Sequence, residues 1–155
     1  MNIVTDVSFL TKPCKPVSKE DGLKIAEALE KELESRSEAV GLAANQVGID
    51  ATVFSIKIHG GVKSFVNPKI IEKQNPRLFK DEGCLSLPGK RVNTIRFESI
   101  LIEDLIFGQT KLENFAAIIA QHEYDHICGV LMREANIYDL CPCGSGKKFK
   151  FCHLR

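Results

Sequence analysis

The sequence predicts an α+β fold: antiparallel sheets packed around a buried C-terminal helix of the His-Glu-x-x-His type, with an N-terminal amphipathic helix and a small zinc-bound tail. Three observations predict it. The periodicity runs helix, several strands, helix, without the strand–helix alternation of a parallel sheet. Apolar residues of the second helical stretch lead straight into a pair of histidines. After Tyr138 the composition changes abruptly to "CPCGSGKKFKFCHLR". The expected division is a catalytic domain over 1–138 and a zinc-binding tail over 139–155.

Residues 1–17, broken by Pro13 and Pro16, read as an extended arm. In "SKEDGLKIAEALEKELESRS", Ser18 and Asp21 form a capping-box-like start, with Asp in place of Glu or Gln. Leu23, Ala26, Leu29 and Leu33 recur at helical spacing, which predicts an amphipathic helix over about 19–36. "ATVFSIKI" (51–58), "VKSFVNPKIIEK" (62–73) and "FESILIED" (97–104) are rich in β-branched residues and read as strands. Turn signals stand at Gly60-Gly61 and Asn67-Pro68, and the short stretch 97–111 implies clipped strands. "KLENFAAIIAQHEYDHICG" (111–129) returns to helical spacing and stops at Gly129.

The bulk numbers narrow the class. A chain of 155 residues that is 44% hydrophobic and 26% charged can bury one sizeable core. A net charge of +1 gives no global field for nucleic acid, and no sequence-specific DNA binding is expected. The longest apolar runs, such as "FAAIIA", are too short to span a bilayer. The opening "MNIVTDVSFLTKP" lacks the pattern of a signal peptide, so the expected setting is the cytoplasm, where thiols stay reduced. Six cysteines then point to metal ligation rather than disulfides. Cys14 and Cys128 are left over and read as buried free thiols.

His122 and His126, four apart on a predicted helix, present both imidazoles on one face, where they can share one metal. Glu123 points aside, near enough to take a proton from water whose pKa a divalent metal has lowered to about 7. Two histidines and a glutamate on a surface helix would be the bland reading. The apolar lead Phe115, Ile118 and Ile119 argues instead for a buried helix, whose polar groups all need partners. Asp125 suits a supporting place behind the ligands. For a third ligand, Met132 stands where a metzincin would need His, and Glu134 is closer than thermolysin-like spacing. Cys84, in "DEGCLSLPG", is the best unused soft ligand.

"VGLAANQVG", "EGCLS" and "QHEYDH", in that order and at these separations, resemble the three signature motifs of the peptide deformylase family. The resemblance covers about residues 1–136 and includes the opening "FLTKPCKPV". It implies removal of the N-formyl group from the N-terminal formyl-methionine of newly made polypeptides. It implies a catalytic divalent metal on Cys84, His122 and His126, typically Fe2+, with Zn2+ or Ni2+ also able to occupy the site. Glu123 is implied as general base, and the Gln46 amide with the Leu85 backbone N–H as donors to the developing oxyanion. Val40, Phe115, Ile118, Ile119 and His122 are implied as walls of the methionine pocket, and Gly41 and Gly83 as edges that pair with the peptide. The small residues Gly41, Ala43 and Ala44 allow close approach of the metal helix, while Asn45 fills a variable place with no assigned chemistry. The chain departs from the pattern mildly at Ala39, Ile127 and Gly89, none of them a ligand.

In the tail, Cys141, Cys143, Cys152 and His153 are four N/S ligands with no spare position, the makings of a closed structural Zn2+ site. The stretch resembles the SEC-C motif in its Gly144-Ser145-Gly146 turn and Lys147-Lys148 pair. With so few apolar residues, its folding is expected to depend on the metal. Lys147, Lys148, Lys150 and Arg155 make it basic, and it is expected to contact the ribosome in place of the long C-terminal helix of typical bacterial deformylases. Two other readings stand beside this one. Another His-Glu-x-x-His amidase or peptidase would cut internal peptide bonds. An inactive ribosome-binding module would have no need of Gln46, Cys84, Glu123 and both histidines.

Overall fold

The computed structural model describes residues 1–154. Its elements are α1 (Val7–Leu10), α2 (Lys19–Ser35), β1 (Gly41–Ala43), a 3-10 turn (Ala44–Val47), β2 (Val53–Ile58), β3 (Gly61–Val66), β4 (Lys69–Gly83), β5 (Arg91–Asp104), β6 (Gly108–Glu113), α3 (Asn114–Ile127) and α4 (Phe149–Cys152). The fold is α+β, with two three-stranded antiparallel sheets in the orders β1-β2-β3 and β4-β5-β6.

The arm is not wholly extended. The Asp6 side chain accepts the Ser8 N–H and starts the one-turn helix α1. Helix α2 begins where Ser18 accepts the Asp21 N–H. It buries Gly22, Ala26, Leu29 and Leu33, while Leu23 is exposed. The buried face is therefore displaced from the predicted one, and the reason is steric: a Cβ on Gly22 would lie 2.3 Å from a Val66 methyl. A glycine lets the helix sit directly on β3.

The predicted strand over 62–73 is two strands. Asn67, at φ 47°, breaks the chain between β3 and β4. The second sheet is longer than its alternation suggests: β4 and β5 run 15 and 14 residues, and the stretch 97–111 holds the end of β5 and the start of the six-residue β6. Residues 74–83 carry charges on both faces and no apolar alternation, because much of that hairpin projects beyond the core. Residues 111–113 belong to β6, and α3 starts at Asn114, whose φ of 55° turns the chain from strand into helix.

Helix α3 contacts strands of both sheets, chiefly β1, β2 and β5. One apolar cluster joins Phe54, Ile56 and Phe65 of the first sheet to Ile100, Ile102 and Leu112 of the second through Ala117, Ile119 and Ala120 of α3. A second cluster lies beneath α2, between Leu29, Leu33, Leu42, Val53 and Val66. Both sheets thus hold the same helix, and His122, Glu123 and His126 are fixed from two sides. The leftover thiols are free, but Cys128 is exposed and Cys14 half-buried, because the C-terminal end of α3 reaches the surface there.

Candidate metal centre and substrate cavity

At the junction of α3, β1 and the end of β4, the sulfur of Cys84 lies 3.3 Å from His126 Nε2, and His126 Nε2 lies 3.2 Å from His122 Nε2. A tetrahedral ion with bonds of about 2.0–2.3 Å holds its ligands about 3.3–3.8 Å apart, so the three donors are spaced for one metal. Their surroundings favour a cation. Burial alone would depress His122, yet Glu123, Cys84 and Glu82 outweigh it and push its pKa up to about 10. Burial and the neighbouring His122 charge push His126 down to about 3. The negative groups therefore call for a positive charge that two adjacent imidazoles cannot both carry.

Behind the ligands stands a buried ionic network. Glu82 accepts two hydrogen bonds from Arg96, at 2.8 and 2.6 Å, and one from Thr94 at 2.9 Å. Its Oε2 also lies 2.9 Å from His122 Nδ1, which aims Nε2 at the metal position. Burial opposes ionisation of Glu82, but the bonds from Arg96 and His122 prevail and hold its pKa at about 2. Arg96 reaches on to Asp125 at 2.6 Å. Gln121, just before His122, clasps the Phe97 backbone from both sides, at 2.8 and 2.7 Å.

Glu123 is fully within the protein and outside the three-ligand set. Burial raises its pKa to about 7, and its Oε1 has no hydrogen-bond partner. Gly41 makes its place possible, since a Cβ there would stand 2.5 Å from Glu123 Oε2 and 2.8 Å from an Ile119 methyl. Gln46 is oriented by its own oxygen, which accepts the Ala43 N–H at 2.9 Å. Its amide nitrogen then faces Ser86 Oγ at 3.3 Å and the Cys84 sulfur at 3.8 Å.

These groups open onto one cavity of about 410 Å³. Val40, Gly41, Gln46, Gly83, Cys84, Leu85, Phe115, Ile118, Ile119, His122 and Glu123 all line it, while His126 is buried and does not. The sequence gives no role to Glu82, Arg96, Ser86, Phe79 or Asn45. Glu82 and Ser86 stand inside the quoted "EGCLS", and a buried acid beside a histidine ligand was the available signal. Arg96 gave none, since a lone arginine in a strand is ordinary. Phe79, also at the cavity, meets the Phe115 ring at 6.2 Å because a bulge between Phe79 and Glu82 turns it inward. Asn45 donates to the His126 carbonyl at 2.7 Å and ties the 3-10 turn to the metal helix.

A second ligand set lies in the segment after Tyr138. Cys141 Sγ and Cys152 Sγ each lie 3.2 Å from His153 Nδ1, and Cys143 and Cys152 are 3.6 Å apart, too far for a disulfide and right for a shared ion. Hydrogen bonds from Ser145 draw the Cys143 thiol down to about 6, while burial pushes Cys141 up to about 11. Phe149 is wholly buried, and Pro142, Cys143 and His153 face Lys73, Pro76 and Phe97 of the second sheet across a shallow recess. The knuckle thus rests against the β4–β5 sheet. Of its four predicted cations, Arg155 lies outside the described residues.

Residues 1–136 match the family model described as polypeptide deformylase, and residues 139–155 match that of the SEC-C motif. A peptide deformylase of Thermotoga neapolitana is 36% identical over 137 residues, covering 79% of this chain and 78% of that protein. Peptide deformylase 1 of Clostridium perfringens is 37% identical, covering 81% of this chain and 90% of that protein. The crystal structure of peptide deformylase from Thermotoga maritima superimposes with a TM-score of 0.76 at 32% identity, covering 88% of this chain and 97% of that one.

Proposed function

The chain belongs to the polypeptide deformylase family, a metal-dependent hydrolase that removes the N-formyl group from newly made polypeptides, and we propose residue by residue how its cavity does so. Cys84, His122 and His126 would hold one divalent metal, Fe2+ by family habit, with Zn2+ or Ni2+ equally compatible with the donors. When bound, that ion supplies the Lewis acidity that makes water a nucleophile near neutral pH.

The protein's own groups do the rest. Glu123 accepts the proton of the attacking water and returns it to the departing amine, and a carboxylate tuned to about 7 suits both transfers. The Gln46 amide and the Leu85 N–H donate to the oxygen on which negative charge develops. Gln46 needs no rearrangement, because Ala43 and Ser86 already fix its amide. Val40, Phe115, Ile118 and Ile119 wall the methionine side chain, and Gly41 and Gly83 offer backbone edges to the extended peptide. The observation that carries this reading is Glu123, buried beside the Cys–His–His set with an unpartnered oxygen, at the same cavity as Gln46.

The catalytic unit is residues 1–138. The segment 139–155 holds a structural Zn2+ on Cys141, Cys143, Cys152 and His153 and contacts the ribosome through its lysines, in the cytoplasm. No helix is long and apolar enough to cross a membrane among the described residues. Formate release from a formyl-methionyl peptide, set against the acetyl-methionyl analogue, tests the activity: only the formyl peptide should react. Cutting at internal bonds without formate would favour a peptidase. Ribosome cosedimentation of the full chain and of a form lacking 139–155, at two salt concentrations, tests the second role. Equal pelleting of both would remove it.

A further inference from the structure

The knuckle carries a surface that neither the deformylation chemistry nor the zinc site uses. Leu140 and Lys148 form an antiparallel bridge, so their side chains share one face. Tyr138 and Lys150, the latter the second residue of α4, come together beside that pair. Lys150 Nζ donates to the Tyr138 hydroxyl at 3.2 Å and lies 5.0 Å from the Tyr138 ring centroid. It also lies 5.8 Å from the Phe151 ring centroid. Their neighbours in the chain, Phe149 and Cys141, are buried. Apolar side chains on the outer face stay in water: Tyr138 is 52% exposed, Leu140 69% and Phe151 70%. Lys147 and Lys148 are exposed beside them, as is Asp139, the sole side-chain carboxylate of 139–154.

Two open aromatic faces flanking a lysine, with further lysines alongside, match one chemistry better than any other. We propose that this face binds single-stranded RNA, with unpaired bases stacked on Tyr138 and Phe151 and phosphates met by Lys147, Lys148 and Lys150. An acidic protein segment would use the lysines and leave the rings idle. Unpaired bases use both, since each has a face to stack and each nucleotide carries a phosphate. The bridge and the Lys150 contacts hold the two rings in place before any ligand arrives, so little ordering cost falls on binding. This inference rests on the ribosome-contact reading and sharpens it: the partner on the ribosome is exposed RNA rather than ribosomal protein.

The test uses the zinc-loaded full chain, with zinc content measured for every variant. Fluorescence anisotropy of a labelled oligouridylate of about ten nucleotides should show binding at low salt. Tyr138→Ala with Phe151→Ala should weaken it roughly tenfold or more, since each lost stacking partner costs at least several-fold. With three lysines engaged, the logarithm of affinity should fall with the logarithm of salt at a slope of about −2. Lys148→Ala with Lys150→Ala should flatten that slope by about 1 or more. A duplex competitor should displace the oligomer poorly. Absence of binding at low salt, or an unchanged affinity in the aromatic variant, overturns the proposal, as does preferential capture of anionic lipid vesicles over RNA. Cosedimentation separates the two readings. Ribosome pelleting without oligomer binding sinks the RNA surface and leaves the ribosome contact standing. Oligomer binding through these residues, without ribosome pelleting, supports the RNA surface and sinks the ribosome contact.

Discussion

The two cysteine–histidine sets solve opposite problems. Cys84, His122 and His126 come from a strand end and a fourteen-residue helix that both sheets grip, with Glu82, Arg96 and Asn45 holding the helix from behind. Cys141, Cys143, Cys152 and His153 crowd into one short segment whose buried apolar anchor is Phe149. The first set is arranged by the fold and has three donors beside a cavity. The second has four donors, and there a shared metal would do the arranging. Donor count and the source of rigidity, more than the identity of the ligands, separate a site that reacts from one that only folds.

The hardest blow to this contrast is aimed at Glu123. Glu123→Ala should cut turnover of a formyl-methionyl peptide by roughly a hundredfold or more, the usual weight of a general base, while the metal content stays at the wild-type value. Metal lost together with activity would place Glu123 among the ligands and erase the distinction between holder and actor.

Next in size is the ligand cysteine. Cys84→Ser should lose the catalytic metal to a chelator far sooner than Cys128→Ser, whose thiol is exposed at the helix end. Matching metal retention in the two, at matching helicity, would leave the third ligand unidentified.

The scaffold is probed through Arg96. Arg96→Met leaves Glu82 buried without its main partner and should cost about 3–5 kcal/mol in denaturant unfolding. The pH dependence sharpens this. Glu82 is held at about 2, below its ordinary value near 4.5, so its stabilisation is complete above that ordinary value. It is lost as pH falls from about 4.5 towards 2, and Arg96→Met should flatten the decline. A parallel acid profile in both proteins would show that the network does not hold the helix.

The smallest catalytic effect is expected at the knuckle. Cys143→Ser should release the second metal and unfold the segment, yet leave peptide turnover within a few-fold, because no described residue after 138 lines the cavity. The knuckle does rest on the β4–β5 sheet, whose Phe97 backbone Gln121 clasps. A large loss of turnover would show that this contact reaches the metal helix, and that the two sets are not independent.

How legible each region was follows from the same physics. The clustering of Cys84, His122 and His126 beside Glu123 could be read because helical spacing places His122 and His126 on one face, and because Gln46 and Cys84 stand in quotable motifs. Helix α2 could be read from its amphipathic repeat, although Gly22 rather than Leu23 faces the core, since close approach to Val66 overrides hydrophobicity there. Most of the β4–β5 hairpin could not: much of 74–83 is solvated, the inward face of β5 carries the polar Thr94 and Arg96 where apolar alternation would be sought, and β6 ends where "KLE" continues smoothly into a helical pattern. The Glu82–Arg96–Asp125 network was illegible for a different reason. Its members are 14 and 29 residues apart, and the register of β4 on β5 together with the packing of α3 against β5 brings them together.

Asn45 has a consequence for how the molecule opens. Helices ordinarily fray from their ends, and the last turn is where amide protons first trade with solvent. In α3 that turn carries His126, and the Asn45 amide grips its carbonyl across a separation of 81 residues. The chain cannot unwind there without breaking this tie to the 3-10 turn, which follows directly on β1 of the first sheet. Deuterium uptake at the closing turn of α3 should therefore keep pace with global unfolding, and Asn45→Ala should release those amides while the middle of the helix stays protected.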